Sequence, residues 1–172
     1  DIRMSLGIAQ LIQGNYADGW ENYEARWHSE QFTAQHRRFA VERWKGEPLQ
    51  DRKLLVYAEQ GFGDTLQFCR YLTLLSDQGV EVYFECQRPM LELCRSLQGV
   101  KDVFARKDPL PEADYCIPLM SIPHMFRTTL ESVPSIVPYL FSSPPKVDSF
   151  RAQLNGTDLK LSLIHISEPT RP

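Results

Sequence analysis

The sequence predicts an α/β fold in which a Rossmann-like parallel sheet follows a helical hairpin. Apolar, strand-like runs alternate with helical patterns along most of the 172 residues. The clearest unit is Lys53 to Leu75, KLLVYAEQGFGDTLQFCRYLTLL, in which a β-branched apolar run, two glycines and a helical period follow one another. Strands that alternate with helices in this way favour a parallel sheet.

Residues 4–28 show two short helical patterns separated by Gly14 and Asn15. The apolar positions are Leu6, Ile8, Leu11 and Ile12 in the first helix, and Tyr16, Trp20, Tyr23 and Trp27 in the second. This pair resembles a tetratricopeptide repeat, and about three repeats are normally needed for a stable array. We therefore interpret residues 1–28 as the last repeat of an array. An ordinary hairpin that caps the sheet domain is the alternative.

The other boundaries follow from composition and period. Residues 29–52 lack a sustained period and are interpreted as a linker, and residues 53–145 as the Rossmann-like domain. Residues 146–160 are interpreted as an inter-domain helix and the start of a further domain. The last stretch, 161–172, resembles translated sequencing adapter and is expected to be an artefact. The chain also begins within a helical pattern, so we expect a fragment of a longer protein.

Strands after the central unit are predicted at Val80–Cys86, Val103–Ala105 and Ala113–Ile117, and helices at Pro89–Leu97 and Val147–Leu154. Each apolar run is bounded by Gly or Pro, which punctuate such elements.

Composition and charge exclude several classes of partner. The net charge is -3 and no polybasic segment is present, so nucleic acid is not expected as a partner. No apolar run approaches the roughly 18 residues of a membrane span. Four cysteines without a CxxC pair are interpreted as buried thiols in a reducing cytoplasm, with no metal site and no cofactor.

The glycine turn is where a site is expected, because ligands of open α/β sheets bind at the carboxyl ends of strands. Gly61 and Gly63 would let the backbone turn sharply and approach a ligand closely, because each can take positive φ. Asp64 would follow at the start of the helix. Its carboxylate fits two roles: a general base for a hydroxyl proton, or a helix cap that forms a capping-box-like pattern with Gln67.

A resemblance bears on that choice. NYADGWENYEARW, RWKGEPL, AEQGFGDTLQF and CIPLMSIPHMFRTTLESVP resemble the tetratricopeptide-linked glycosyltransferases related to ADP-heptose:lipopolysaccharide heptosyltransferases, and more distantly the O-linked N-acetylglucosamine transferases. The resemblance implies the N-terminal, acceptor-side half of a GT-B fold. It also implies that Gly63 and Asp64 supply the carboxylate that deprotonates the acceptor hydroxyl.

Further acceptor-side residues are expected around this turn. Gln60, Gly61 and Thr65 would line the same cleft as Asp64. Ser121 and His124 follow a predicted strand end and would form a second wall. His124 remains open as a locally hydrogen-bonded loop histidine.

The first functional hypothesis is therefore an inverting glycosyltransferase whose nucleotide-sugar donor is bound by a missing C-terminal half, which leaves this fragment inactive alone. The acceptor would be a hydroxyl of a glycan, lipid or protein. The alternative is a non-catalytic scaffold whose helical repeats bind a protein partner. A plain dinucleotide-binding domain is less favoured, because the third glycine of the fingerprint is absent. In addition, no acidic residue ends the second strand in a clear ribose-binding position, and Glu85 is the nearest candidate.

Overall fold

The structure, a computed structural model, describes residues 2–29 and 39–154. The predicted artefact at 161–172 lies outside these residues. The chain divides into two compact units, one that ends at Phe141 and one that begins at Ser142. Within the described residues, no helix has the length and apolarity needed to cross a membrane.

Two packed helices open the first unit. Helix α1 spans Ile2–Ile12 and α2 spans Tyr16–Tyr23, with Gly14 at φ 83° in the turn between them. The helices approach so closely that a Cβ on Gly7 would lie 2.6 Å from the backbone nitrogen of Tyr23. The predicted helix pair is present, and its assignment as a tetratricopeptide repeat stays a prediction. A 3-10 segment, Glu24–His28, continues from α2.

A four-stranded, all-parallel sheet confirms the predicted α/β class. Its strands are β1 (Lys53–Tyr57), β2 (Glu81–Cys86), β3 (Val100–Ala105) and β4 (Tyr115–Pro118), in the spatial order β3-β2-β1-β4. Strands β2 and β3 follow one another on one side of β1, and β4 lies on the other side of β1. The topological switch point therefore lies between β1 and β4.

Short helices follow the strands. They are α3 (Phe62–Phe68), α4 (Tyr71–Asp77), α5 (Leu91–Cys94) and α6 (Ile122–Met125), with 3-10 turns at Arg88–Met90 and Leu119–Ser121. The sequence predicts one helix from the glycine turn to Leu75, and the structure divides it after Phe68. The division is a local tightening, because the amide of Leu72 bonds the carbonyl of Cys69 at 3.0 Å, three residues back.

Both faces of the sheet are covered. The larger core packs Leu54, Val56, Val82 and Phe84 against the helices. On the opposite face Leu55, Tyr57 and Cys116 pack against partly buried apolar residues such as Phe39 and Val41. The predicted linker thus contributes to the fold: the amide of Cys116 bonds the carbonyl of Glu42, and the amide of Trp44 bonds the carbonyl of Cys116.

The second unit contributes one described helix, α7, at Pro144–Gln153. It begins before the predicted Val147 because Pro144 and Pro145 occupy the first turn, where a missing amide hydrogen costs nothing. Arg151 and Asp148 form an ion pair at 2.9 Å along its surface.

Candidate functional site

After β1, Asp64 occupies a different position at the start of the helix from the one that the sequence pattern predicts. The helix begins at Phe62, its cap is Gly61, and Asp64 is the third helical residue. Asp64 Oδ2 accepts the Gly61 amide hydrogen at 3.0 Å. This is the reciprocal half of a capping box, so Asp64 stabilises the turn by reaching backwards. The pattern with Asp64 as the first cap and Gln67 as its partner is wrong, because the helix starts earlier.

The two glycines also act differently from expectation. Neither adopts a positive φ; Gly61 is extended, with φ -73° and ψ 177°. A Cβ on Gly63 would meet no atom within 4 Å, whereas one on Gly61 would lie 3.3 Å from Asp64 Oδ2. The fold itself therefore does not require glycine at position 63. Open space surrounds the position that a Cβ on Gly63 would take.

A hydrogen-bonded support lies under this turn. Gln60 Nε2 donates to the Tyr23 hydroxyl at 2.7 Å, and Gln87 Nε2 donates to the Gln60 carbonyl at 2.6 Å. The Thr65 hydroxyl lies 3.0 Å from both the Gly61 carbonyl and Gln87 Oε1. Thr65 is only 1% exposed. It fixes the turn from beneath and does not line a cleft, which corrects that expectation.

The predicted second wall is not assembled as expected. Ser121 is fully buried, and its hydroxyl donates to Glu24 Oε1 at 2.8 Å while it accepts hydrogen bonds from Arg26 and Arg43. His124 lies half-buried in α6, where its carbonyl accepts the Arg127 amide at 3.0 Å. Within the described residues, no hydrogen bond joins Ser121 or His124 to Asp64. Ser121 belongs to a separate ionic cluster.

That cluster fills the switch-point crevice, and sequence reasoning missed it. Glu59 follows β1, and its Oε1 accepts the Met120 amide at 3.2 Å from the segment that follows β4. Arg26 Nη2 lies 3.2 Å from the same oxygen and 2.6 Å from Ser121 Oγ. Arg26 is 0% exposed. The crevice where open α/β sheets usually bind ligands therefore already holds a side chain of the N-terminal segment.

Arg26 is held through its two terminal nitrogens and between two aromatic rings. Its Nη1 lies 2.5 Å from Glu24 Oε1, and the other Glu24 oxygen lies 2.5 Å from Arg43 Nη2. The guanidinium carbon stands 4.7 Å and 4.6 Å from the ring centroids of Tyr23 and Trp27. We name Glu24, Arg26, Arg43, Glu59 and Ser121 the ionic cluster.

The pKa values of the two carboxyl groups in the ionic cluster shift in opposite directions. Burial raises the pKa of Glu59, and the nearby Arg26 only partly offsets it. Burial also opposes ionisation of Glu24, but Arg26 and Arg43 outweigh it and lower the Glu24 pKa. Glu59 Oε2 is buried with no hydrogen-bond partner among the described residues. Glu59 is thus a buried acid that holds its proton more tightly than an ordinary glutamate.

Tyr23 connects the ionic cluster to the glycine turn. Burial is the largest cause of its raised pKa; the Gln60 hydrogen bond and Arg26 oppose the rise, and the Glu59 and Asp64 charges add to it.

One of the residues that sequence reasoning missed has a sequence signal. Glu59 directly follows the apolar run LLVYA. A charged residue at the end of such a buried run is unusual, because charged side chains are rarely buried without a partner.

A cavity of about 550 Å³ lies beside this region, between the helical hairpin and helices α3 and α4. Its walls include Trp20, Tyr23, Phe68 and Tyr71. Within the described part of the chain, no group of three or more His, Cys, Asp or Glu side chains is arranged to hold a metal ion. All four cysteines are buried.

Comparisons with known proteins add one distant relative. Protein FlbA of Caulobacter vibrioides is 27% identical over 175 residues, an alignment that covers 90% of this chain and 29% of FlbA. The chain thus spans less than a third of the length of the curated relative it matches. No family model matches the chain. No solved structure matches it either.

Proposed function

We propose that this chain is the acceptor-binding half of an inverting GT-B glycosyltransferase related to the heptosyltransferases. Asp64 would take the proton of an acceptor hydroxyl as that oxygen attacks the anomeric carbon of a nucleotide-sugar. The new bond joins the acceptor oxygen to the sugar, and the bond to the departing nucleoside diphosphate breaks. The acceptor is a hydroxyl of a glycan, lipid or protein.

The open carboxylate at the glycine turn carries this proposal. Asp64 Oδ2 is used by the Gly61 amide, and no other hydrogen bond joins Asp64 to a described residue. Gly63, the residue before Asp64, has open space where a Cβ would stand. A general base needs this combination of a fixed orientation and a free oxygen within reach of a substrate proton.

In this proposal, the nucleotide-sugar donor is bound by a second domain that is not part of this chain. The GT-B resemblance assigns nucleotide-sugar binding to a second half, so we expect this chain alone neither to hold the donor tightly nor to turn over. The reaction is placed in the cytoplasm, in agreement with four buried cysteine thiols.

The test is turnover by the protein that the complete gene encodes, measured with a panel of nucleotide-sugars. Asp64→Asn keeps an oxygen that can accept the Gly61 amide hydrogen but cannot take up a proton. We expect kcat to fall at least about 100-fold, while the midpoint of urea unfolding stays close to that of wild type. Asp77→Asn, an exposed change on α4, is the matched control. Wild-type turnover in Asp64→Asn would remove the base role and leave Asp64 as a cap.

The second candidate is a scaffold that binds a protein partner through the helical hairpin. The observation that favours it is apolar exposure on α1, where Ile2 is 90% and Ile12 is 81% exposed. Large exposed apolar patches mark protein–protein interaction sites. Failure of the complete protein to bind or turn over any nucleotide-sugar would favour this candidate.

A further inference from the structure

The cavity between the helical hairpin and helices α3 and α4 has a mostly apolar lining. Its volume of about 550 Å³ lies within the range of small-molecule sites. Aliphatic and aromatic side chains make up most of the lining, among them Ile8, Leu11, Tyr16, Phe68 and Met120. Ile8 is 40% exposed, so part of this apolar surface meets water. A ligand with an apolar body would remove that surface from water, which is favourable.

The hydrogen-bonding nitrogens of Arg70 are engaged away from this cavity. Arg70 is the one charged residue in the described lining. Its Nη1 donates to the Pro134 carbonyl at 2.8 Å and its Nη2 to the Tyr139 hydroxyl at 3.0 Å, and both partners line a separate cavity. The Arg70 Nε is buried. An ion that entered the cavity would lose hydration without a hydrogen-bonded partner charge, so the lining favours an uncharged ligand.

One wall of the cavity is connected to the Asp64 turn. Tyr23 lines the cavity, and its hydroxyl accepts a hydrogen bond from Gln60 Nε2 at 2.7 Å. Burial is the largest cause of the raised pKa of Tyr23, and the charge of Asp64 adds to the rise, so Asp64 lies within electrostatic reach of this wall. Gln67, a further lining residue, follows Asp64 by three positions in α3, a spacing that places two side chains on one helix face.

We propose that this cavity is the acceptor pocket and that the acceptor is an apolar alcohol, an uncharged molecule with an aliphatic body that ends in a hydroxyl group. The inference rests on the proposed function, because it assigns Asp64 its substrate. The aliphatic body covers the apolar lining, and the hydroxyl lies at the wall formed by Tyr23 and Gln67. Its oxygen bonds to the anomeric carbon, its proton passes to Asp64, and the bond to the nucleoside diphosphate breaks.

Other acceptor classes fit the lining less well. A glycan would place many hydroxyl groups against a surface that is mostly aliphatic and aromatic, and polar groups are costly to bury without hydrogen bonds. An anionic acceptor would meet the charge of Asp64 at one wall, while the terminal nitrogens of Arg70 are bonded elsewhere. The inference therefore narrows the acceptor to the class of lipid alcohols.

The first test is isothermal titration calorimetry of the 172-residue chain with 1-octanol, octanoate and methyl glucoside. We expect 1-octanol to bind with a Kd at least about 10-fold lower than the other two probes, because octanoate must bury a charge and methyl glucoside has little apolar surface to bury. The proposal is overturned if 1-octanol does not bind. It is equally overturned if octanoate or methyl glucoside binds as tightly as 1-octanol.

Matched changes on α1 test whether this binding takes place in the cavity. Ile8 and Ile12 line the cavity, whereas Ile2 lies on the same helix, is 90% exposed and is not part of the lining. Ile8→Glu should weaken 1-octanol binding at least about 10-fold, because it places a carboxylate against the aliphatic body. Ile2→Glu should leave the Kd unchanged. Ile12→Glu repeats the test at a side chain that is 81% exposed and therefore contributes little to folding. Wild-type affinity in Ile12→Glu, or in a folded Ile8→Glu, overturns the proposal.

A transfer assay separates this inference from the proposed function. It uses the protein that the complete gene encodes, a panel of nucleotide-sugars, and 1-octanol or a glycan as acceptor. Ile8→Glu should raise the KM for 1-octanol at least about 10-fold, as expected for lost substrate binding. Transfer to glycans but not to 1-octanol would overturn the apolar acceptor and leave the proposed function intact. No transfer to any acceptor would refute the proposed function and the acceptor role with it, while 1-octanol binding to the 172-residue chain would stand as a separate result.

Discussion

Replacement of Arg26 by Met tests whether the ionic cluster fixes the hairpin to the sheet. The change keeps an apolar stem of similar length and removes the charge from a side chain that is 0% exposed. Glu24, at 2.5 Å, and Glu59, at 3.2 Å, both lose a partner. Removal of one member of a buried ion pair costs about 3–5 kcal/mol, because the remaining charge is left without compensation. We expect a loss in that range at pH 7.

The loss should shrink as the pH falls from 7 to 5. Arg26 lowers the pKa of both Glu24 and Glu59, so its removal lets the folded variant bind protons more readily than folded wild type. A state that binds more protons gains stability as the pH falls, by up to about 1.4 kcal/mol per pH unit for each carboxyl group that titrates. The measurement is urea unfolding at both pH values, followed by circular dichroism.

Two matched variants complete the test. Arg43 has a side chain that is 32% exposed, so Arg43→Met should cost only about 1 kcal/mol. Glu59→Gln in the Arg26→Met background removes the stranded charge and should recover part of the lost stability at pH 7. A cost for Arg26→Met below about 1 kcal/mol, or a cost that grows as the pH falls, would refute the reasoning.

Four further outcomes are expected. Gly7→Ala should destabilise the fold by about 1–3 kcal/mol, because its Cβ would lie 2.6 Å from the Tyr23 nitrogen. Gly63→Ala, with open space around the new Cβ, should raise the free energy of unfolding by about 0.5–1 kcal/mol. Urea unfolding measures both variants, and equal effects of Gly7→Ala and Gly63→Ala would contradict the geometry. Burial raises the pKa of Cys69 to about 12, and all four thiols are buried, so native protein should react with a thiol reagent at pH 8 at least about 100-fold more slowly than protein unfolded in urea. Glu59→Gln should become more stable relative to wild type as the pH rises above about 4.5. The pKa of Glu59 is higher in the folded protein than in the unfolded chain, so folded wild type is destabilised as Glu59 loses its proton, and the Gln variant is not. A constant difference between pH 4 and 8 would count against a raised pKa.

Local patterns predicted the elements of the sheet but not all of their details. The run Leu54–Tyr57 predicted β1, which begins one residue earlier, because four consecutive buried residues are typical of a strand covered on both faces. The break after Phe68 was not predictable in this way. Apolar spacing does not change when one turn tightens from four residues to three.

The candidate site was predicted only where its residues are neighbours in the sequence. The glycine turn and Asp64 lie within one short motif. The ionic cluster joins residues as far apart as Glu24 and Ser121, 97 positions along the chain. Thr65 shows the same limit at short range: a helix period gives its spacing, but only the packed sheet decides that it faces Gln87 and not solvent.

The position of Arg26 has a consequence for protein engineering. A shortened chain that starts at β1 would contain all four strands of the described sheet, yet it would leave Glu59 buried after β1 without Arg26 to balance its charge. Such a chain would have to admit water, bind a proton or recruit a foreign cation at the crevice between β1 and β4. A transplanted hairpin would substitute for the native one only if it carried a guanidinium to the same depth. Arg26 thus adds an ionic dependence of the sheet on the helical segment to the apolar contacts of Trp20 and Tyr23 in the same core.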